Sequence, residues 1–282
     1  MSNLIRFDWA IKKILRDKAN FGILEGFLSE LLGQSIKIIS LLDSESNKET
    51  KDDKFNRVDL LAELENKELV IIEVQNEEEY DYLHRILYGT SKTISENMKK
   101  GSPYVNVKKV ISISIVYFDL GSGLDYVYKG TTNFIGIHNQ DKLMLSDDQK
   151  ILFNKVEPYE IFPEYFILKV SKFDEVTKDG LDEWVYFLKT DEIKENFKAK
   201  GLREAKEKLD VMKLPKEEQV VYEQYLDDLH LKASLAHTQK YKLEKAKKEG
   251  IYEVAKKLKD RGMSVGEIMD ITGLTKEEIE NL

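Results

Sequence analysis

The chain has 282 residues, of which 41% are hydrophobic and 34% charged; this is typical of a folded globular protein and excludes a disordered or membrane-embedded chain. It contains no cysteine, so disulfides, thiolate metal sites and cysteine nucleophiles are excluded, and any metal must be held by oxygen or imidazole. The net charge of −8 is concentrated in residues 43–81, where fourteen acidic and five basic residues leave a net of −9. This concentration is compatible with a divalent-metal site and also with a solvated acidic loop.

The N-terminal sequence predicts a cytoplasmic protein that does not enter a membrane. Its charges are spread throughout, and it lacks the apolar run and cleavage site of a signal peptide. No apolar run in the chain approaches the roughly 18 residues that suggest a spanning helix.

The N-terminal apolar residues recur at spacings of three and four, which predicts two amphipathic helices, the second ending at Gly33. The apolar positions are Leu4, Phe7, Ile11, Ile14 and Leu15, then Phe21, Leu24, Leu28, Leu31 and Leu32.

The next elements are a strand, a loop and a hairpin. A β-branched run at 36–42 predicts the strand, and the polar residues 44–54 predict a solvated loop. Residues 57–75 alternate with period two, which predicts two strands that share one apolar face. The even positions are apolar: Val58, Leu60, Ala62, Leu64, Val70, Ile72 and Val74. The odd positions include the polar side chains: Asp59, Glu63, Glu65, Glu73 and Gln75.

The parity of these positions predicts how the two strands pair. Residues directly opposite each other point to the same face of the sheet. If both strands place their even positions on the core, each even residue must pair with an even residue, so the two numbers of a pair sum to an even number. Such pairing requires a turn with an odd number of residues, such as 66–68. We expect paired numbers to sum to 134, with Asp59 opposite Gln75 and diagonal to Glu73. At that separation two carboxylates can share one ion.

Further along the chain, the pattern alternates between helix and strand. Residues 77–100 predict a helix that ends before Gly101 and docks on the sheet. The docking stripe is expected to consist of Tyr80, Leu83, Leu87, Ile94 and Met98. Strands are predicted within residues 108–120, 134–138 and 165–173. A helix after the hairpin followed by further strands indicates an α/β sandwich.

From about residue 190 the sequence predicts helices only. Pro215 interrupts them, and residues 232–261 hold ten basic and four acidic residues, a net of +6. Residues 262–282 contain two capping boxes separated by Gly273 and resemble a helix-turn-helix. The second helix of this pair is acidic, which favours a small packing or partner-binding module over insertion into a DNA groove. We therefore predict a main domain at 1–190, a helical linker region at 191–250 and a small module at 251–282.

Two carboxylates on one sheet face predict a specific chemistry. Like charges at close range disfavour each other's ionisation, and a divalent cation relieves this. Mg²⁺ prefers oxygen ligands and uses one or two protein carboxylates together with water and phosphate. Asp59 and Glu73 are therefore candidate ligands for Mg²⁺, with Mn²⁺ as the alternative ion. Polar odd positions are also typical of the solvent-facing side of an antiparallel hairpin, and this alternative stays open here.

Four short motifs together resemble a known family. They are F-D-W-A-I-K at 7–12, V-D at 58–59, I-I-E-V-Q at 71–75 and H-R-I-L-Y at 84–88. In order and spacing they resemble the recombination-promoting nuclease/transposase family of the PD-(D/E)xK nuclease superfamily. The segments 127–138 and 181–189 are also similar to that family, so the resemblance covers about residues 5–190.

The resemblance implies a fold and a set of site residues. The fold would be a restriction-endonuclease-like mixed sheet flanked by helices, with an all-helical C-terminal extension. Asp59 and Glu73 would bind Mg²⁺, and Asp8 would be an accessory acid. Gln75 occupies the position of the superfamily's lysine, and because an amide can orient water or phosphate but cannot neutralise charge, we expect greater reliance on the metal.

Three further side chains are candidate contacts to DNA phosphate, namely Lys12, Arg85 and Tyr88. Arg85 and Tyr88 lie one helical turn apart after the site, where they can meet phosphate or a base face, or simply face solvent. Asp8 and Lys12 also have the spacing of an ordinary surface ion pair on a helix.

These observations predict a metal-dependent DNA endonuclease with low sequence specificity, linked by the resemblance to recombination or mobile elements. The alternative is a catalytically weak nuclease-like protein that binds DNA or a protein partner through its helical C-terminal region. The same helices are candidates for homo-oligomer formation.

Overall fold

A computed structural model describes residues 4–42 and 58–282 of the chain. It divides into two compact units, Met1–Leu214 and Pro215–Leu282. The predicted acidic loop at 44–54 lies outside the described residues. The predicted boundaries at 190 and 250 differ from this division, and the assignment of domains stays a prediction.

Within residues 4–42 and 58–214, the first unit shows a sheet of six strands together with six α-helices. The strands are β1 (Ile38–Leu41), β2 (Leu60–Leu64), β3 (Leu69–Gln75), β4 (Val110–Val116), β5 (Val127–Gly130) and β6 (Glu164–Lys169). The helices are α1 (Phe7–Lys13), α2 (Phe21–Leu32), α3 (Tyr82–Glu96), α4 (Asp147–Phe153), α5 (Gly180–Thr190) and α6 (Leu202–Lys208). Single 3₁₀ turns occupy Lys18–Asn20, Tyr104–Asn106, Pro158–Glu160, Val170–Lys172 and Val211–Lys213.

The sheet is mixed, with strand order β1-β2-β3-β4-β6-β5. Strands β3, β4 and β6 are parallel to one another, and the outer pairs are antiparallel. Every residue of β4 is buried, because the strand lies at the centre of the sheet with helices on the faces. The mixed α/β architecture confirms the predicted fold class.

The β2–β3 hairpin has the predicted parity but a different register. Leu60 pairs with Ile72 and Ala62 with Val70, so paired numbers sum to 132 and the predicted value of 134 is wrong. The Leu64 amide donates to the Glu68 carbonyl, so the turn is 65–67 rather than 66–68. The turn forms one residue earlier because Lys67 adopts a left-handed conformation with φ of 71°, and the Asn66 side chain accepts from the Glu68 amide.

Helix α3 packs on the sheet through a different face from the predicted one. Tyr82 and Ile86 are 0% and 6% exposed, and they pack with Val116 of β4. Leu83 and Leu87 are 54% and 56% exposed, so the predicted docking stripe is wrong in its N-terminal half. The buried face continues through two threonines, Thr90 and Thr93, whose polar side chains hid it from an apolar pattern.

The predicted strand at 134–138 is also wrong. Ile135 forms only an isolated bridge with Lys142, and the Leu143 amide donates to the Phe134 carbonyl. This segment therefore pairs locally with residues 141–143. The edge of the sheet is instead formed by β5, which begins seven residues earlier in the chain and pairs with β6. A short apolar run that contains glycine is compatible with a strand of the main sheet and with a local bridge, and tertiary pairing decides between the two.

An aromatic cluster anchors α1 to the rest of the unit. The Phe7 ring lies 5.7 Å from Phe27 of α2 and 6.2 Å from Trp184 of α5, measured between ring centroids. Phe187 completes the cluster at 6.4 Å from Phe7. Such edge-to-face contacts stabilise beyond area burial alone. Because α1 is held in this way, its polar face, with Asp8 and Lys12, has a defined position.

The second unit is helical, as predicted. It consists of α7 (Lys216–Asp260), α8 (Val265–Thr272) and α9 (Lys276–Glu280). Both capping boxes form, at Ser264 and Thr275, and Gly273 ends α8 with φ of 70°. A small core joins the three helices through Ala255, Ile268, Leu274 and Ile279. Within residues 4–42 and 58–282, no helix combines the length and apolar character needed to span a membrane.

Candidate active site

The two predicted carboxylates lie close enough to interact electrostatically, because the Asp59 charge raises the pKa of Glu73. Asp59 immediately precedes β2, and the ladder that pairs Leu60 with Ile72 would, if continued, place Asp59 opposite Glu73. Asp59 was predicted to lie opposite Gln75 and diagonal to Glu73. The observed ladder ends at Leu60 and Ile72, so Asp59 lies just beyond the paired residues.

Asp59 is held by three groups from two elements. Its Oδ2 accepts a 2.7 Å hydrogen bond from the Val74 amide, and its Oδ1 lies 3.1 Å from Lys12 Nζ. Arg16 donates to the Asp59 backbone carbonyl at 2.9 Å. The contact of Lys12 is thus a cross-element ion pair with Asp59. Asp8 is only 2% exposed, so the alternative of an Asp8–Lys12 surface pair is wrong.

Glu73 is the more buried of the two acids. It is 8% exposed, which contradicts the alternative of a solvent-facing position. Its Oε1 lies 2.6 Å from an Arg85 guanidinium nitrogen. Burial raises the pKa of Glu73, and the neighbouring Asp59 charge raises it further, while Arg85 acts in the opposite direction. The single arginine therefore does not fully compensate the carboxylate, which is the electrostatic condition that a divalent cation relieves.

Gln75 and Arg85 meet at a residue that the sequence did not single out, Glu79. Glu79 Oε2 accepts from Arg85 at 2.8 Å and lies 3.5 Å from Gln75 Nε2. Gln75 also donates to the Glu77 carbonyl at 3.2 Å. Glu79 belongs to an acidic run before α3, and nothing in its spacing distinguishes it from its neighbours.

Asp8 lies in a second polar cluster at the end of β3. Its Oδ2 accepts a 2.8 Å hydrogen bond from Asn76, and its Oδ1 lies 3.3 Å from Arg6 Nε. Arg6 also lies 3.4 Å from Asp191. Burial raises the pKa of Asp191 to about 6, with Arg6 lowering and Asp8 raising it. The sequence analysis missed Arg6, Asn76 and Asp191, since they come from three separate regions of the chain.

Two tyrosines of α3 differ in exposure. Tyr88 is 52% exposed, so its ring is accessible from solvent. Tyr82 is fully buried, with the side chains of Ser114 and Glu73 near its hydroxyl. Burial and the nearby Glu73 charge raise the pKa of Tyr82, so this hydroxyl is a donor rather than a phenolate.

The donor set at the site fits a hard divalent cation. In the described parts of the chain, no three or more Asp, Glu or His side chains gather as a metal-binding group. The candidate donors are the carboxylates of Asp59 and Glu73. Mg²⁺ binds through one or two protein carboxylates and completes its shell with water and substrate oxygens. Two adjoining acids, one with a raised pKa, satisfy that requirement.

The mixed sheet flanked by helices, with a carboxylate pair at adjoining strands, defines a restriction-endonuclease-like α/β protein. Residues 5–239 match the family described as PD-(D/E)XK nuclease family transposase, and the chain belongs to this family. The predicted resemblance is confirmed, and the match extends beyond residue 190 into α7. No curated protein and no solved structure matches the sequence.

Proposed function

We propose that the protein is a Mg²⁺- or Mn²⁺-dependent endonuclease that hydrolyses DNA phosphodiester bonds with low sequence specificity, in recombination or the movement of mobile elements. The observation that carries the proposal is a buried Glu73 whose pKa is raised by burial and by the neighbouring Asp59 carboxylate. Family membership supports the nuclease chemistry. A cytoplasmic location is part of the same proposal.

In this proposal Asp59 and Glu73 hold the metal. When bound, the ion supplies Lewis acidity, which makes water a stronger nucleophile and stabilises charge at the phosphate. The Val74 amide fixes one Asp59 oxygen, and the other lies 3.1 Å from Lys12 Nζ. Gln75 is proposed to orient the attacking water, because its amide both donates and accepts.

The remaining predicted residues have supporting roles. Asp8, as the accessory acid, is proposed to act by holding Asn76 and thereby the end of β3. Lys12 is 50% exposed at its side chain, which leaves it accessible to a DNA phosphate as well as to Asp59. Arg85 and Tyr88 are proposed as further DNA contacts from α3.

A plasmid-nicking assay in the presence of Mg²⁺ tests this function. D59N and E73Q should each abolish nicking, because each removes a metal ligand while keeping the side chain's shape. E63Q is the matched control: Glu63 lies on the same hairpin but pairs with Lys108 at 2.9 Å. Wild-type nicking by either D59N or E73Q would contradict the assignment.

A second candidate function is DNA binding through the C-terminal helices. All residues from 231 to 250 of α7 are exposed, and between 232 and 248 there are six lysines and one acidic residue, Glu244. A basic, exposed helix of this kind attracts phosphate, and its binding weakens steeply with salt. Replacing Lys240, Lys242 and Lys245 with glutamine in the full chain should lower DNA affinity and flatten the salt dependence. If the variant instead changes only the molecular mass in solution, the helix mediates homo-oligomer formation.

A further inference from the structure

Arg85 holds two carboxylates at once. One terminal nitrogen lies 2.6 Å from Glu73 Oε1, and the other lies 2.8 Å from Glu79 Oε2. Its side chain is 27% exposed, so the guanidinium is partly withdrawn from water. An arginine in this position needs a carboxylate partner, because an unpaired, partly buried charge is costly.

Arg85 keeps other contacts if Glu73 moves away from it. The contact with Glu79 uses a separate nitrogen and does not depend on Glu73. The Arg85 guanidinium also lies 6.0 Å from the centre of the Tyr82 ring, within range of a cation–π interaction. Two of its three partners are therefore independent of the candidate metal ligand.

Arg85 neutralises the Glu73 carboxylate, as a bound divalent cation would. Glu73 has one close cationic partner, Arg85, while Asp59 has Lys12. A cation that coordinates Glu73 competes with Arg85 for the negative charge of one carboxylate, because Arg85 already holds Oε1. The free energy of metal binding then includes the cost of separating Arg85 from Glu73.

We propose that Arg85 is a displaceable counter-ion of Glu73, and that Glu79 is a positioning residue that retains Arg85 when a divalent cation binds. This inference rests on the proposed function in one respect, that the metal binds at Asp59 and Glu73. It adds a role for Glu79, which lowers the cost of releasing Glu73 and thereby sets the affinity for the metal.

The test is Mn²⁺ binding to the full-length protein without DNA, with free Mn²⁺ measured by electron paramagnetic resonance. E79A should weaken Mn²⁺ binding by about tenfold, within the usual range of coupling between linked sites, because Arg85 then keeps Glu73 as its only carboxylate. R85M should strengthen binding by a similar factor, since the competitor is removed. In the double variant R85M/E79A, the E79A change should have no effect on affinity.

The matched control is E96A, which removes a carboxylate that pairs with Lys92 on the same helix α3. It should leave Mn²⁺ affinity unchanged, and circular dichroism should show that all variants are folded. Equal weakening by E79A in the wild-type and R85M backgrounds would overturn the proposal, because Glu79 would then act through its charge alone. An unchanged affinity in E79A, with normal binding by the wild type, would overturn it as well. A wild-type protein that binds no Mn²⁺ would instead contradict the proposed metal site, and this inference with it.

Discussion

The backbone amide of Val74 donates a 2.7 Å hydrogen bond to the Asp59 carboxylate, at the position where the β2–β3 ladder would otherwise pair Val74 with Val58. The side chain thus replaces a backbone acceptor at the end of the hairpin. Val74 is 5% exposed, so water does not readily satisfy its amide in place of Asp59. The contact that fixes one Asp59 oxygen therefore also satisfies the Val74 amide at the end of the strand.

Removing this acceptor should destabilise the fold. D59A leaves the Val74 amide without its partner, at a cost of about 1–3 kcal/mol, whereas D59N keeps an oxygen that can accept. Both variants lose the charge that pairs with Lys12, so their difference isolates the hydrogen bond. The free energy of unfolding in urea is the measurement, and equal values for the two variants would contradict this account.

The observed packing face of α3 predicts that alanine substitutions at two adjacent positions affect stability differently. Ile86 is 6% exposed and packs on the sheet, so I86A should cost about 2–5 kcal/mol. Leu87 is 56% exposed, and L87A should change stability by no more than about 0.5 kcal/mol. Chemical denaturation of both variants measures the difference. A larger loss for L87A would restore the face that the sequence predicted.

Two helical glycines should respond oppositely to alanine. A Cβ on Gly26 of α2 would lie 2.3 Å from the Lys200 carbonyl and 2.6 Å from the Gly201 Cα, so G26A should destabilise by about 1–3 kcal/mol or more. A Cβ on Gly89 of α3 meets no atom within 4 Å, and G89A should stabilise by about 0.5–1 kcal/mol. Thermal unfolding distinguishes them. The close approach of α2 would be disproved if G26A were neutral.

Asp191 should make stability depend on pH. Its pKa rises from 3.8 to about 6 in the folded protein, so between these values the folded state binds more protons than the unfolded state. Its contribution is fully present below about pH 4 and is lost as the pH rises through about 6. D191N removes this titration, and asparagine tolerates the left-handed backbone at this position, where φ is 56°.

The expected measurement is the free energy of unfolding of both proteins from pH 4 to 7. The stability of D191N relative to the wild type should increase over this interval, by at most about 3 kcal/mol, because the shift in pKa from 3.8 to about 6 sets the change. A difference that is constant with pH would show that Asp191 titrates normally.

Features that depend on neighbouring residues could be predicted from the sequence. Alternation between Val58 and Val74 indicated two paired strands, and apolar spacing defined α1 and α2, since side-chain periodicity follows from backbone geometry alone. The capping boxes at Ser264 and Thr275 formed as predicted, because the interacting groups lie three residues apart.

The distant groups that meet are set by tertiary packing. Parity permits several registers, and a turn one residue earlier, with Lys67 in a left-handed conformation, selected the one in which Leu60 pairs with Ile72. The pairing of Arg85 with Glu73 and Glu79 depends on the rotation of α3, which is set by burial of Tyr82 and Ile86 against the sheet. Packing and the desolvation of charge are properties of the assembled fold, so the partners of a charged side chain follow from which surfaces are buried together.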